Sequence, residues 1–160
     1  MVDYQNQAKG VVWQGKTKEL EDNLGICNYV GTCSGANFLT IADFAELINR
    51  GMGLDLKEEE LMDHYAAIGR NLEKAFNALH TNMSREDDIP PKRFREEEVK
   101  SGPYKGFKID ENKYNEMLDE FYELSGWDKK TGMQTRTGLE KLGLENIAEK
   151  LAKQGKLADN

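Results

Sequence analysis

Apolar residues recur every three to four positions along most of this chain, a spacing that predicts helices rather than strands. The clearest run lies between about Leu56 and Leu79. There Leu61, Met62, Tyr65, Ile68, Leu72, Ala75, Phe76 and Leu79 follow the helical period. Asp55 and Glu58 suit its N-terminus. An earlier helix has Ile41, Phe44, Ala45, Leu47 and Ile48 on one face; Thr40 with Asp43 resembles a capping arrangement, and Gly51 and Gly53 end it. A first helix is expected over about Asp3 to Asn23, but Tyr4, Ala8, Val11, Val12, Leu20 and Leu24 are only loosely periodic. Gly10 and Gly15 weaken it, each by on the order of 1 kcal/mol relative to Ala. Gly25 then fits a helix-ending position with positive φ.

All three prolines, Pro90, Pro91 and Pro103, fall in a stretch without clear period, roughly 81–109. Beyond it, Asp110 is the expected N-cap of a helix through about Leu124 that buries Tyr114, Met117, Leu118, Phe121 and Tyr122. Gly126-Trp127-Asp128 closes this helix. Two short helices follow. Thr137 and Glu140 cap the first, and Leu142-Gly143-Leu144-Glu145 leads into Ile147, Ala148 and Leu151 of the second. The polar tail from Gln154 is expected to fray. No alternating run of convincing length appears, so little sheet is expected. The fold predicted is all-α and multihelical. It is read as one domain over 1–160, with motif-bearing helices in about 1–80, an ordered loop at 81–109 and C-terminal helices at 110–153.

Composition narrows the range of functions. The chain has 160 residues, enough for one domain with a real core or two small subdomains. Its formal net charge is −7, and Lys and Arg are interleaved with Asp and Glu, so no basic nucleic-acid surface is expected. No apolar run approaches the roughly 18 residues that span a bilayer, so no membrane partner is expected either. Met1 to Gln7 shows no positive region followed by an apolar stretch, which argues against a secretory signal. Cys27 and Cys33 are the only cysteines and make no disulfide framework, which points to a reducing cytoplasm.

Candidate chemistry concentrates in Asp22-Asn23-Leu24-Gly25-Ile26-Cys27. A carboxylate can pair with a planar fork of N–H donors, as a pterin presents at its 2-amino group and ring N–H. A cysteine thiolate is the usual ligand of an iron–sulfur cluster. The glycine lets the chain turn so that both groups reach one side. From the residues alone, the plainer reading is favoured: a helix C-cap followed by a buried structural Cys. If Cys27 is a ligand, its co-ligands lie elsewhere.

Weaker candidates stand beside this motif. Cys33, five residues beyond Cys27, reads as a buried or harmless thiol rather than a second ligand. His64 reads as a surface residue, and His80 sits near a helix end; their spacing to either Cys does not suit zinc. Arg85, Asp87, Asp88 and Arg93 read as salt bridges and turn caps rather than a catalytic cluster. Trp127 reads as core, and Asp128 to Gly132 lacks the acidic pattern of a calcium loop.

The motif segment resembles the C-terminal part of the tungsten-pterin aldehyde ferredoxin oxidoreductase family, which carries D-x-x-G-L-(C/D) in this region. Here Ile26 replaces the family's Leu. Further segments are similar in the same order: Asn71 to Asn77, Arg85 to Arg93, Tyr122 with Gly126-Trp127-Asp128 and Gly132, and Leu139 with Leu142-Gly143-Leu144. The resemblance runs from about Val11 to Leu151. The stretch Ala78 to Ser84 departs from it, since the family usually shows an Arg and a Gly there with one residue fewer.

The resemblance implies a C-terminal helical domain of an enzyme that oxidises an aldehyde to a carboxylic acid and passes electrons to ferredoxin. It implies that Asp22 contacts one pterin of a tungsten-bis-pterin and that Cys27 is the fourth ligand of a 4Fe-4S cluster. Leu24, Gly25 and Ile26 would lie close to these cofactors. The partners implied are the N-terminal and middle domains of the same enzyme, ferredoxin and an aldehyde. The other three cluster cysteines and the first pterin motif are not in this sequence, so the chain is expected to be a fragment of a larger enzyme or a split-gene product. Alone it is expected to be inactive and to hold no cofactor. Val11, Val12, Trp13, Leu24 and Ile26 are the expected former interface. A reading from a different class is a stand-alone helical scaffold or interaction protein derived from that domain, without cofactor. Relatives acting on 2-hydroxy acids or aromatic thioesters leave the substrate open.

Overall fold

A computed structural model describes residues 4–31 and 39–158. Its helices are α1 (Gln7–Leu24), α2 (Ile41–Met52), α3 (Glu58–Glu60), α4 (Ala67–His80), α5 (Lys92–Glu96), α6 (Glu111–Ser125), α7 (Arg136–Glu140) and α8 (Glu145–Lys153). A π-helical turn, Leu61–Ala66, joins α3 to α4, and a 3-10 turn covers Arg85–Asp88. Among the described residues the only β pairing is two isolated bridges, Trp127 with Gln134 and Thr135 with Ala158. The all-α expectation is met. The chain forms two compact units, Trp13–Lys74 and Met1–Val12 with Ala75–Asn160.

The unit Trp13–Lys74 has a core of Leu20, Ile41, Phe44, Ala45, Leu61 and Ala66, with Ile26, Leu39, Ile48, Leu56 and Met62 packed against it. The capping box expected at α2 is present. Thr40 Oγ1 accepts the Asp43 N–H, and the Asp43 carboxylate accepts the Thr40 N–H at 2.6 Å. The Thr40 hydroxyl and N–H hold the Asp43 carboxyl below its usual range. Gly53, at φ 70°, ends α2, whereas Gly51 lies inside it. Gly15 and Gly69 have packing roles in this unit. A Cβ on Gly15 would lie 3.2 Å from Arg70 Nε, and one on Gly69 would lie 2.0 Å from Glu19 Oε1. The Arg70 and Glu19 side chains occupy the space that these glycines leave.

The long central helix differs from its sequence expectation in two ways. It starts at Glu58 rather than Leu56, with Lys57 at the N-cap position and no side-chain cap bond. Asp55 instead pairs with Lys57 at 3.0 Å. The π turn then widens one turn and shifts the register of the apolar stripe, which a uniform 3.6-residue period cannot encode. Leu61, Ala66 and Ala75 are buried, while Tyr65, Leu72 and Phe76 are exposed. His64, expected at the surface, is half-buried and meets the Tyr65 ring edge-on at 5.1 Å.

The other unit packs Leu118, Tyr122 and Trp127 with Ile89, Tyr114 and Phe121. Asp110 caps α6 by accepting the Asn112 and Lys113 N–H groups. At its other end Gly126, at φ 74°, lets the Trp127 N–H return to the Tyr122 carbonyl at 2.8 Å. That turn swings Trp127 back onto the rings of Phe121 and Tyr122. The stretch 81–109 contains helical turns, since Ser84 and Asp87 form a capping box and Arg95 Nε donates to the Pro90 carbonyl at 2.7 Å. Arg85 pairs with Asp119 at 2.7 Å and lies over the Tyr122 ring. The Tyr122 hydroxyl donates to Asp88 at 2.6 Å. Burial, with the Asp88 carboxylate beside it, pushes the Tyr122 proton affinity up.

Two local expectations are corrected. The cap of α7 is Thr135, two residues before Thr137, and its Oγ1 accepts the Gly138 N–H at 3.0 Å. The tail is docked through Ala158, which is buried and donates its N–H to the Gln134 carbonyl at 3.0 Å. Polarity predicts fraying, but Lys156 Nζ donates to the Thr81 carbonyl at 2.6 Å, and with the Ala158 contact this holds the described end of the tail.

The turn after α6 is pinned by Asp128, whose Oδ1 accepts the Thr131 hydroxyl at 2.6 Å and the Thr131 N–H at 2.8 Å. The hydroxyl, chiefly, holds the Asp128 carboxyl below its usual range. Asp128→Ala is expected to cost about 1 kcal/mol at neutral pH, the net worth of partly solvated hydrogen bonds. A lowered folded-state value gives stability that is complete above the unfolded value near roughly 3.9 and is lost as pH falls through the folded value. Urea unfolding of both proteins at pH 7 and pH 3 should show the difference shrinking at low pH. A difference that stays constant would contradict the assignment.

Candidate functional site

The candidate site is the C-terminal end of α1 and the turn that follows it. Gly25 adopts φ 67°, donates its N–H to the Asp22 carbonyl at 3.2 Å, and allows the Ile26 N–H to reach the Glu21 carbonyl at 2.8 Å. These two bonds form a Schellman ending. The residue after the glycine in such an ending often makes an apolar contact one turn back. Here Ile26 packs against the core cluster that contains Leu20. The turn continues as the Cys27 carbonyl accepts the N–H groups of Val30 and Gly31, each at 3.0 Å.

This geometry brings the predicted residues to one helix end but gives them different exposures. Asp22, Leu24, Gly25 and Cys27 are exposed, and Ile26 is half-buried. The Cys27 thiol is free. The buried structural cysteine favoured by the residues alone is therefore not what the fold contains. Tyr29 and Val30 are exposed beside it. Of the expected interface residues, Val11, Trp13 and Leu24 are exposed, Val12 is half-buried, and Ile26 is tied to the core.

The Asp22 carboxylate pairs with Lys18 one turn earlier in α1. That hydrogen bond raises the proton affinity of Lys18; desolvation opposes it, and the fields of Asp22, Glu21 and Cys27 add smaller contributions. The cation thus marks where negative charge gathers. A ligand presenting an N–H fork to Asp22 would have to displace or share this ammonium.

Residues around the motif that sequence reasoning did not select hold it in shape. Glu21 is fully buried. Its Oε2 accepts the Asn28 Nδ2–H at 2.5 Å. Gly31 is packed so closely on that carboxylate that a Cβ there would lie 2.2 Å from Oε1. A sequence signal for Glu21 existed: Thr17, Leu20 and Glu21 share the buried face of α1 at the i, i+3, i+4 spacing. Cys33 lies outside the described residues. His80 is exposed and stacks on Phe76 with ring centroids 4.4 Å apart. Arg93 faces Glu97 at 3.9 Å within α5 and its C-cap.

Among the described residues no group of three or more His, Cys, Asp and Glu side chains could hold a metal ion. The donor set at the end of α1 instead fits a share in a site completed elsewhere: one accessible thiol for iron and one accessible carboxylate for an N–H fork.

Comparison with known proteins now bears on this helix end. A family model described as aldehyde ferredoxin oxidoreductase, domains 2 & 3, matches residues 1–144. The chain belongs to the aldehyde ferredoxin oxidoreductase family. It is 34% identical over 128 residues to the tungsten-containing aldehyde ferredoxin oxidoreductase of Pyrococcus furiosus, covering 78% of this chain and 19% of that protein. It is 32% identical over 131 residues to the enzyme of the same name from Pyrococcus horikoshii, covering 79% of this chain and 20% of that one. The chain spans about a fifth of the length of these curated relatives. Its fold is similar to a chain of the active site complex BamBC of benzoyl coenzyme A reductase in complex with 1,5-dienoyl-CoA. That match has a TM-score of 0.72 and 26% identity, over 96% of this chain and 21% of the other.

Nothing lies within 4 Å of where a Cβ on Gly25 would sit, so the cost of Gly25→Ala is conformational alone. Forcing a left-handed φ on alanine should cost about 1–2 kcal/mol. Gly25→Asn should cost less, because asparagine tolerates that region. Chemical denaturation of the three proteins measures this, and equal stability of Ala and Gly at this position would contradict the Schellman geometry.

Proposed function

We propose that this chain works as the helical, motif-bearing part of a tungsten-pterin aldehyde oxidoreductase, in which the end of α1 reaches into a cofactor site completed by the rest of the enzyme. The single observation that carries this reading is the exposed, free Cys27 thiol in the turn that directly follows a Schellman helix ending, with Asp22 exposed in the last turn of that helix. A free thiol at the surface of a reduced protein is exposed to oxidation, whereas a ligand position gives it a partner.

In this reading the Asp22 carboxylate accepts the N–H fork of one pterin, and the Cys27 thiolate is the fourth protein ligand of a 4Fe-4S cluster. When bound, the tungsten-bis-pterin would supply the oxidation of an aldehyde to a carboxylic acid, and the cluster would pass the electrons to ferredoxin. The residues of this chain bind and orient. Asp22 would release Lys18 to take the fork, and the backbone at Gly25 would approach the cofactor without a side chain in the way. Leu24, Tyr29 and Val30 are placed to exclude water once the remaining domains cover them. Trp13, half exposed on α1, is a further apolar side chain those domains would bury. The chain alone oxidises no aldehyde and retains no cofactor. The likeness to the benzoyl coenzyme A reductase complex supports a second reading, in which the same cofactor end serves reduction of an aromatic thioester.

The test is metal analysis of the complete assembly isolated from its native source, against variants of this chain. Cys27→Ser should lower iron content and the low-temperature iron–sulfur EPR signal several-fold, and Asp22→Ala should lower bound pterin. Each should leave the fold intact. An Asp22→Ala, Cys27→Ala double variant with full iron, pterin and turnover would overturn the proposal in favour of a cofactor-free scaffold.

A further inference from the structure

We propose that Glu21 is a positioning residue that sets the Cys27 turn from beneath, and so aims the thiol at its metal. The link to metal rests on the function proposed above; the link to the turn does not. Glu21 holds the turn at three points that bracket Cys27. Its carbonyl accepts the Ile26 N–H at 2.8 Å, one residue before the cysteine. Its carboxylate accepts the Asn28 side-chain amide at 2.5 Å, one residue after it. The same carboxylate lies against Gly31, where a Cβ would sit 2.2 Å from Oε1 and 2.9 Å from Cδ. Gly31 is in turn the far end of the turn, since its N–H and that of Val30 donate to the Cys27 carbonyl.

The arrangement is costly, which is the argument that it has a use. Glu21 has no exposed surface, and a carboxylate out of water is unfavourable even when hydrogen-bonded. Neighbouring positions on the same face are filled by Leu20 and Thr17. An apolar residue at 21 would fill the space at lower cost but offer no acceptor to Asn28. Gly31 lies against the same carboxylate, so a side chain there would displace the Glu21 carboxyl from its place. Ligands of metals are held by partners in the surrounding shell, and loss of such partners weakens binding. Glu21 occupies that place for Cys27, reached through the backbone and through Asn28.

The experiment uses the 160-residue chain with Cys33→Ser, so that Cys27 is the one reactive thiol. Hydrogen exchange of the Val30 and Gly31 amides and the rate of Cys27 alkylation by iodoacetamide are measured, with helical circular dichroism as the fold control. Glu21→Leu should lower protection of both amides at least tenfold and change the alkylation rate, while Glu21→Gln, which keeps an acceptor oxygen, should restore most of the protection. Asn28→Ala removes one bond without touching the core and should lower protection at least threefold, which keeps the test decisive should Glu21→Leu fail to fold. Wild-type protection in Asn28→Ala, or in a folded Glu21→Leu, would overturn the proposal. In the assembled enzyme Glu21→Leu should lower iron per chain and Glu21→Gln should restore it. Iron absent from the unmodified assembly would sink the ligand role of Cys27, while the exchange result would still decide what Glu21 does to the turn.

Discussion

The candidate site depends on the bond from the Ile26 N–H to the Glu21 carbonyl, made possible by the positive φ of Gly25. Without it α1 has no defined end, and Asp22 and Cys27 have no fixed relation. The bond reverses the chain and sends Ile26 into the core formed by Leu20, Phe44 and Leu61. Ile26 is partly buried there, so its burial is worth only part of the roughly 1.5–3 kcal/mol of a fully buried side chain, about the size of the bond itself. The two effects reinforce each other. The half-buried Ile26 fixes the direction of exit, and the next residue, Cys27, is left outside. Polar chemistry is thereby presented at the surface by an apolar anchor one residue away.

The same device recurs at the end of α6. Gly126 turns, Trp127 returns its N–H to Tyr122, and its ring joins the aromatic core. There the turn is stabilised by Asp128 and Thr131, and the side chains after the glycine face inward or bind one another. At α1 the residues after the anchor, Cys27, Tyr29 and Val30, are exposed. The difference separates a helix end that completes a core from one that offers groups to something outside it. The proposed function takes that outside to be the rest of a longer enzyme, and the chain spans about a fifth of the length of its curated relatives.

Much of the fold was legible because its signals are local. The Thr40–Asp43 box, the Asp110 cap and the glycines after α1 and α6 act within four residues, and each is where the spacing put it. The long central helix was legible in existence but not in face. A π turn at Leu61–Ala66 breaks the period that the stripe assumed, and Tyr65, Leu72 and Phe76 are left in solvent. The docked tail was missed because a single buried Ala158 has no periodicity to detect. At the site, the glycine turn after α1 was legible from type and spacing, whereas the exposure of Cys27 was not, since the residues alone favoured a buried thiol. Glu21 lies at helical spacing from Thr17 and Leu20 on the buried face of α1, but its acidic type masks that signal, and its contacts with Asn28 and Gly31 come from residues seven and ten positions on.

The most direct test of the central claim is a structure of the complete assembly with iron located by anomalous scattering. The account requires the Cys27 sulfur within bonding distance of an iron atom, at the end of an α1 that keeps its Gly25 turn. Clear density for a cluster whose four protein ligands all come from outside this chain, with Cys27 a free thiol, would contradict it.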